Sequence, residues 1–191
     1  PAVITLSVSA LLFAGATYLA SERHVGDLHA GAPELRPEAR YNKDINEITK
    51  RYAVTTDVLV VIAETGATGG INPCRSDYIM EAQNNLHWYL ENIPGVTKVI
   101  SLSSVAKRAL SGYAEGNLKW TYLPRNERAL AFATSVVDPS TGLINESCSI
   151  MPIYVFTEDH KATTIRRLVE VLEEYNLKFR KSDETLTFRV L

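Results

Sequence analysis

The first twenty residues carry no charged side chain, and this feature constrains the fold more than any other in the sequence. Fourteen of the twenty are apolar, and the 20 Lys plus Arg and 22 Asp plus Glu residues of the chain all follow them. A helix rises about 1.5 Å per residue, so residues 1–20 would reach about 30 Å, the thickness of the hydrocarbon layer of a bilayer. The pattern favours the end of a transmembrane helix, with Tyr18 as an interfacial aromatic residue.

Two other interpretations of residues 1–20 stay open. A cleaved signal peptide has an initiating Met and a basic segment before its apolar run, whereas this sequence begins at Pro1. A core helix of a soluble domain ordinarily keeps a polar stripe, and twenty residues without a charge is long for one. We expect the membrane helix, with the rest of the chain outside the bilayer.

Composition narrows the class of the remaining residues. With 46% hydrophobic and 22% charged residues, the chain has the make-up of one or two compact domains. The net charge is −2 and the basic residues are scattered, so no basic stripe marks a phosphate backbone as partner. We therefore expect no nucleic-acid partner.

The pattern divides the chain into three parts. Residues 1–20 form the end of the membrane helix, and residues 21–53 form a linker, rich in Gly and Pro over 25–37, followed by a short helix. Residues 54–191 form an α/β domain with an irregular insert at 103–146. That insert holds a short helix over 105–110 and another over 126–137.

Two strand, helix, strand units flank the insert. The first has a strand over 56–63, whose apolar run from residue 58 is typical of a strand buried on both faces. An amphipathic helix over 76–93 with Ser76 as its N-cap and a strand over 96–102 follow it.

The second unit has a strand over 150–156, a helix over 161–177 with Asp159 as its N-cap, and an alternating strand at 186–190. Pro152 restricts its first strand to an edge, a bulge or a strand start. The fold class is α+β, either one ferredoxin-like sandwich of split βαβ units or two small lobes that share edges.

Cys74 and Cys148 have one intramolecular pairing available to them. Two buried free thiols are the ordinary alternative in a cytosolic domain. Here both cysteines lie in polar, turn-like surroundings, and a preceding membrane helix permits an extracytoplasmic location. We expect a disulfide that joins the two halves.

The sequence offers no pattern for catalysis or for a cofactor. His24, His29, His87 and His160 are scattered, so we interpret them as surface or capping residues and expect no metal site. The Gly-rich segment at 65–70 lacks the spacing of a phosphate loop, and no nucleophile and base pattern predicts a hydrolase. We expect no catalytic residue, no cofactor and no enzyme.

Large apolar side chains occur where no regular layer needs them. Trp88 lies on the first amphipathic helix, and Leu118, Trp120 and Tyr122 lie in the insert. They either pack the insert over the sheet or line a groove for an apolar ligand or partner. We take the four residues as a candidate substrate groove.

Residues 25–44 (VGDLHAGAPELRPEARYNKD) resemble exporters of the resistance-nodulation-division (RND) superfamily, in the branch with the mycobacterial large membrane proteins (MMPL) and hopanoid exporters. The similarity continues in order through 56–61, 94–96, 116–120, 148–149 and 159–162.

The resemblance implies the second periplasmic porter loop of a bacterial inner-membrane efflux protein, driven by protons and built of small α/β sandwiches that line the path of hydrophobic or amphiphilic cargo. Its partners would be a lipid-like molecule, the membrane and the rest of the transporter chain, with a homo-oligomer left open. Proton-relay carboxylates in that family lie in membrane helices, so no residue here is assigned to energy coupling. A membrane-anchored extracytoplasmic sensor or protein-interaction domain is the alternative function.

Overall fold

The structure is a computed structural model that describes residues 2–21, 36, 38–52, 55, 57–66, 70, 72–180 and 186–190. Of the expected linker over 25–37, all but Arg36 lies outside the described residues. The expected short helix after it is present as α2, Arg40–Arg51.

The apolar opening segment forms one helix, α1, Ala2–Ser21, and none of its residues is buried. A core helix of a soluble domain buries most of its surface, so that interpretation is wrong for this structure. By length and composition α1 can cross a membrane, and a signal sequence would have the same properties.

The described residues contain one antiparallel sheet of four strands in the order β2-β3-β1-β4. The strands are β1, Val58–Thr65, β2, Val96–Ile100, β3, Ile150–Thr157, and β4, Leu186–Val190. Helix α3, Asp77–Glu91, connects β1 to β2, and helix α6, Ala162–Arg180, connects β3 to β4. This is the ferredoxin-like arrangement of two split βαβ units, so the predicted fold class is confirmed and the two-lobe alternative is wrong.

The core lies on one face of that sheet. Leu59, Val61 and Ala63 of β1 are buried, whereas Val60 and Ile62 between them are only half-buried. The prediction of a strand buried on both faces is therefore wrong, because the described helices cover one face. On the other face, the described apolar residues Val58, Val60 and Ile62 are exposed or half-buried.

Helix α3 supplies much of the core and begins as predicted. The Ser76 hydroxyl accepts a hydrogen bond from the Ile79 amide at 3.4 Å, which caps the helix. Its buried apolar residues recur at helical spacing: Ile79, Met80, Ala82, Leu86 and Leu90. The predicted amphipathic helix is confirmed, with its end at Glu91 rather than residue 93.

Pro152 lies in a central strand, which the order of the sheet makes unexpected. Its partner on β1 is Ile62, while β2 pairs only with the later part of β3, from Tyr154 onward. The Ile150 amide and carbonyl bond to Asn145, on the side away from β1. Pro152, two residues on, faces that same side, where β2 has ended, so its missing N–H breaks no ladder.

Helix α6 packs on the same face of the sheet through Leu168 and Leu172. The Asp159 carboxylate accepts hydrogen bonds from the Lys161 amide at 3.2 Å and the Thr164 hydroxyl at 2.6 Å. Asp159 thus orders the turn before the helix instead of occupying the N-cap itself, since α6 begins at Ala162.

The segment between β2 and β3, called the insert below, is more helical than predicted. Helix α4 spans Leu102–Tyr113, so it begins three residues before and ends three residues after the short helix expected over 105–110. A capping box of Ser101 and Ser104 ends β2 at Ile100 and starts α4, so the strand predicted to reach 102 is shorter. Helix α5, Glu127–Thr134, is shorter than the predicted 126–137.

Candidate functional site

Cys74 and Cys148 form a disulfide, with their Cα atoms 5.7 Å apart. Cys74 lies in the 3₁₀ turn Pro73–Arg75 that precedes α3, and Cys148 lies just before β3. Both residues are buried, so the bond is part of the core. It fixes the end of the insert to the start of α3.

Helix α4 presents apolar residues on two faces. Leu102 and Ala106 are buried in the core. Val105, Ala109 and Tyr113 follow one another at four-residue steps along a second face. A helix with apolar residues on both sides is typically covered on both sides, by the core and by a ligand or partner.

That second face of α4 forms one wall of a shallow apolar groove of about 550 Å³. The described residues that line it, called the α4 groove below, are Val105, Arg108, Ala109, Gly112, Tyr113 and Val136. The Tyr113 ring contacts the Phe132 ring of α5, with centroids 4.5 Å apart. The volume of the α4 groove lies within the usual range for small-molecule sites.

Arg108 is exposed at this groove, and no carboxylate among the described residues forms an ion pair with it. Its neighbour Lys107 points elsewhere, because its ammonium donates a hydrogen bond to the Asn84 side chain at 2.7 Å. Partial burial lowers the pKa of Lys107. The groove thus combines an apolar lining with one unpaired cation.

The aromatic residues singled out from the sequence are all exposed. The Trp120 and Tyr122 rings lie 6.0 Å apart, and Leu118 lies on the 3₁₀ turn Leu118–Trp120, which packs near α4. Within the described residues, Trp88 on α3 makes no ring contact with either of them. Their role in a substrate groove stays a prediction.

The insert exposes several large apolar side chains. Its large exposed apolar side chains are Tyr113, Leu118, Trp120, Tyr122, Phe132 and Val136. Contiguous exposed apolar patches mark binding sites for apolar ligands or protein partners. We call this set, together with the α4 groove, the insert surface.

A buried polar cluster joins α3 to the start of α4. His87 Nδ1 lies 2.9 Å from Ser101 Oγ, which lies 2.8 Å from Ser103 Oγ. The Ser103 amide donates a hydrogen bond to Gln83 Oε1 at 2.9 Å. His87 is therefore neither a surface nor a capping residue, as the sequence suggested, but a buried partner of the residue that caps α4.

The cluster contains serine, histidine and carboxylate in series, an arrangement that the sequence analysis missed. His87 Nε2 lies 3.6 Å from Glu91 Oε2. Ser101 is completely buried, and its oxygen also accepts the Ser104 amide at 3.3 Å. Because no surface reaches this hydroxyl, the array has no place for a substrate, and it serves the packing of α3, β2 and α4.

Burial controls the charge of His87. Burial, together with the positive charges of Lys107, Lys98 and Arg108, lowers the pKa of His87 to about 4, against the opposing effect of Glu91. Hydrogen bonding to Lys98 lowers the pKa of Glu91. The imidazole is therefore neutral near pH 7.

The exposed groove residues could have been found from the sequence by following the outer face of α4. Val105, Ala109 and Tyr113 have helical spacing, yet the predicted helix stopped at 110 and so excluded Gly112 and Tyr113.

The described residues contain no group of three or more His, Cys, Asp or Glu able to hold a metal ion. Comparisons with protein-family models, curated proteins and solved structures find no match to this chain.

Proposed function

We propose that this chain is a periplasmic substrate-conducting domain of a proton-driven RND-type exporter of hydrophobic or amphiphilic, lipid-like compounds. The observation that carries the proposal is the exposed insert surface, with its apolar groove along α4 and the Trp120–Tyr122 pair. A domain with such a surface can hold cargo without covalent chemistry. The residue pattern that resembles the RND superfamily supplies the class of protein.

Three further features support the proposal. Helix α1 is uncharged and unburied, which suits an embedded anchor. The Cys74–Cys148 disulfide suits an oxidising compartment such as the periplasm. The ferredoxin-like sandwich with its embedded disulfide is a stiff unit of the kind that alternating access moves as a body.

Alanine substitutions at Trp120 and Tyr122 test the role of the insert surface. In the intact transporter, Trp120→Ala and Tyr122→Ala should each lower export of a lipid-like cargo while membrane abundance and the disulfide stay unchanged. Leu177→Ala is the matched control, because Leu177 is an exposed apolar residue of α6 outside the insert. Normal export by both variants would refute a role of the insert surface in export.

The face of the sheet opposite the core favours a second candidate, a membrane-anchored sensor or protein-interaction domain. Val60, Ile62, Ile100 and Phe156 lie on that face half-buried, and described helices cover the opposite one. A sensor would need few membrane helices after residue 191 and an exporter many, so the full reading frame discriminates between them. In a sensor, Ile62→Lys would abolish capture of a partner protein, and lipid export would not be a function of the chain.

A further inference from the structure

The α4 groove has a chemical character that goes beyond general apolarity. Five of its six described lining residues are apolar or glycine, and Arg108 alone among them carries a charge. The side chains therefore divide into an apolar floor and one cationic end group. An occupant of matching chemistry has an apolar chain and an anionic head.

The guanidinium of Arg108 is available for such a head group. It is exposed, and the described residues supply no carboxylate partner. A guanidinium donates two parallel hydrogen bonds to a carboxylate or phosphate, and an adjoining apolar surface strengthens that attraction by excluding water. A neutral head group would gain no ionic attraction from the guanidinium, and a cationic one would be repelled by it.

We propose that the α4 groove binds the acyl chain of a single-chain anionic amphiphile, with Arg108 pairing with its carboxylate or phosphate head. The proposal deepens the proposed function by naming the charge class of the cargo, and it rests on that function for the relevance of the groove to export. Charge complementarity distinguishes this occupant from an apolar protein segment.

Gly112 provides a way to close the groove without disturbing the fold. It lies in the last turn of α4, and a Cβ built on it meets no atom within 4 Å. A larger side chain at this position would therefore project into the groove rather than into the core. Gly112→Leu should fill the groove, and helix propensity favours the substitution.

Photo-crosslinking of the full chain in phosphatidylcholine nanodiscs tests the proposal. The probes are a diazirine-bearing hexadecanoate and the corresponding hexadecanol, and peptide mass spectrometry locates the label. We expect the acid to label residues 102–113 and 132–137 and the alcohol to label them far less. Arg108→Gln should reduce labelling by the acid about tenfold. Gly112→Leu should reduce labelling by both probes.

Arg75→Gln is the matched control, since Arg75 is also exposed and has no ion pair within the described part of the chain. Its labelling should equal that of the parent chain, and circular dichroism and the disulfide should be the same in all variants. Equal labelling by acid and alcohol, or no effect of Arg108→Gln, would overturn the proposal. So would crosslinks that join α4 of one copy to α4 of another.

The binding readout is independent of export. If the acid labels the α4 groove while both Trp120→Ala and Tyr122→Ala leave export unchanged, the proposed function fails and the binding site stands. If the Trp120 and Tyr122 variants lose export while the groove labels without regard to head-group charge, the proposed function stands and the assignment of an anionic cargo fails.

Discussion

Reduction of the Cys74–Cys148 disulfide should lower the free energy of unfolding by several kcal/mol. The two cysteines are 74 positions apart, so in the unfolded chain the bond closes a loop that runs from the start of α3 to the start of β3. Both are buried in the native state. Reduction keeps both sulfurs in place, so the change isolates the covalent link from the packing of the side chains.

The magnitude follows from loop-closure entropy. For a loop of about 75 residues, the chain-entropy model gives about 4.5 kcal/mol at 25 °C. A domain of ordinary stability unfolds at a cost of about 5–15 kcal/mol, so reduction would remove a large share of it. For a chain of this size the melting temperature should fall by roughly 10–15 °C.

Guanidinium unfolding of the full chain in detergent, with and without reductant, measures the effect. Helix α1 stays in the micelle under both conditions, so the signal should come from the tertiary fold and be read by near-ultraviolet circular dichroism. The control is Cys74→Ala combined with Cys148→Gly, since Cys148 has a φ of 57° that glycine accepts. A loss below about 1 kcal/mol on reduction would refute the reasoning.

Three further predictions concern single residues. Gly112→Ala should raise the free energy of unfolding by about 0.5–1 kcal/mol, because Gly112 lies in a helix with open space around its Cβ position, and a lower melting temperature would contradict this. The pKa of His87 falls from 6.5 in the unfolded chain to about 4 in the fold, so the contribution of His87 to the free energy of unfolding should be complete above pH 6.5 and decline as the pH falls towards 4. In urea titrations a His87→Gln variant should lose this pH dependence, and an unchanged dependence would assign it to other groups. The Asn176 side-chain amide donates to the Phe188 carbonyl at 2.6 Å, and its oxygen accepts from the Phe188 backbone amide at 3.3 Å, so the side chain covers the edge of β4. Asn176→Ala should therefore lower the free energy of unfolding by about 1–3 kcal/mol and promote self-association in sedimentation experiments. A monomer of parent stability would show that the edge needs no such cover.

The regular halves of the fold could be predicted because their signals are local. The spacing of Ile79, Leu86 and Leu90, with Ser76 before them, specifies one face and the start of α3. Alternation of Leu186 and Phe188 with polar residues likewise specifies β4. Two strand, helix, strand units then restrict the topology to few arrangements.

The burial of β1 could not be read from its composition. Val58, Val60 and Ile62 are as apolar as the core residues between them, yet they lie on the opposite face of the sheet, exposed or half-buried. Periodicity distinguishes faces only when one face is polar. The same apolar run would suit a strand covered on both sides, and the choice depends on which elements pack there.

The start of the insert was harder to predict because its first helix, α4, begins at a cap that also takes part in tertiary contacts. Ser101 and Ser104 form a capping box, but the first of them also ends β2 and bonds to His87, which lies 14 residues earlier. Long-range hydrogen bonds of this kind leave no pattern in a short window of sequence. The aromatic residues of the insert were recognisable, whereas Arg108 gained its interest only from the groove beside it.

The central claim is that an embedded α1 holds the domain on the oxidising side of a membrane, where its apolar surface meets cargo. Expression of the full chain in a bacterial host, with thiols trapped by alkylation before lysis and membranes washed in carbonate, tests this claim most directly. The account expects the uncleaved chain in the membrane pellet with Cys74 and Cys148 protected from alkylation by their disulfide. Recovery in the supernatant, loss of residues 1–21, or alkylation of both thiols would contradict it.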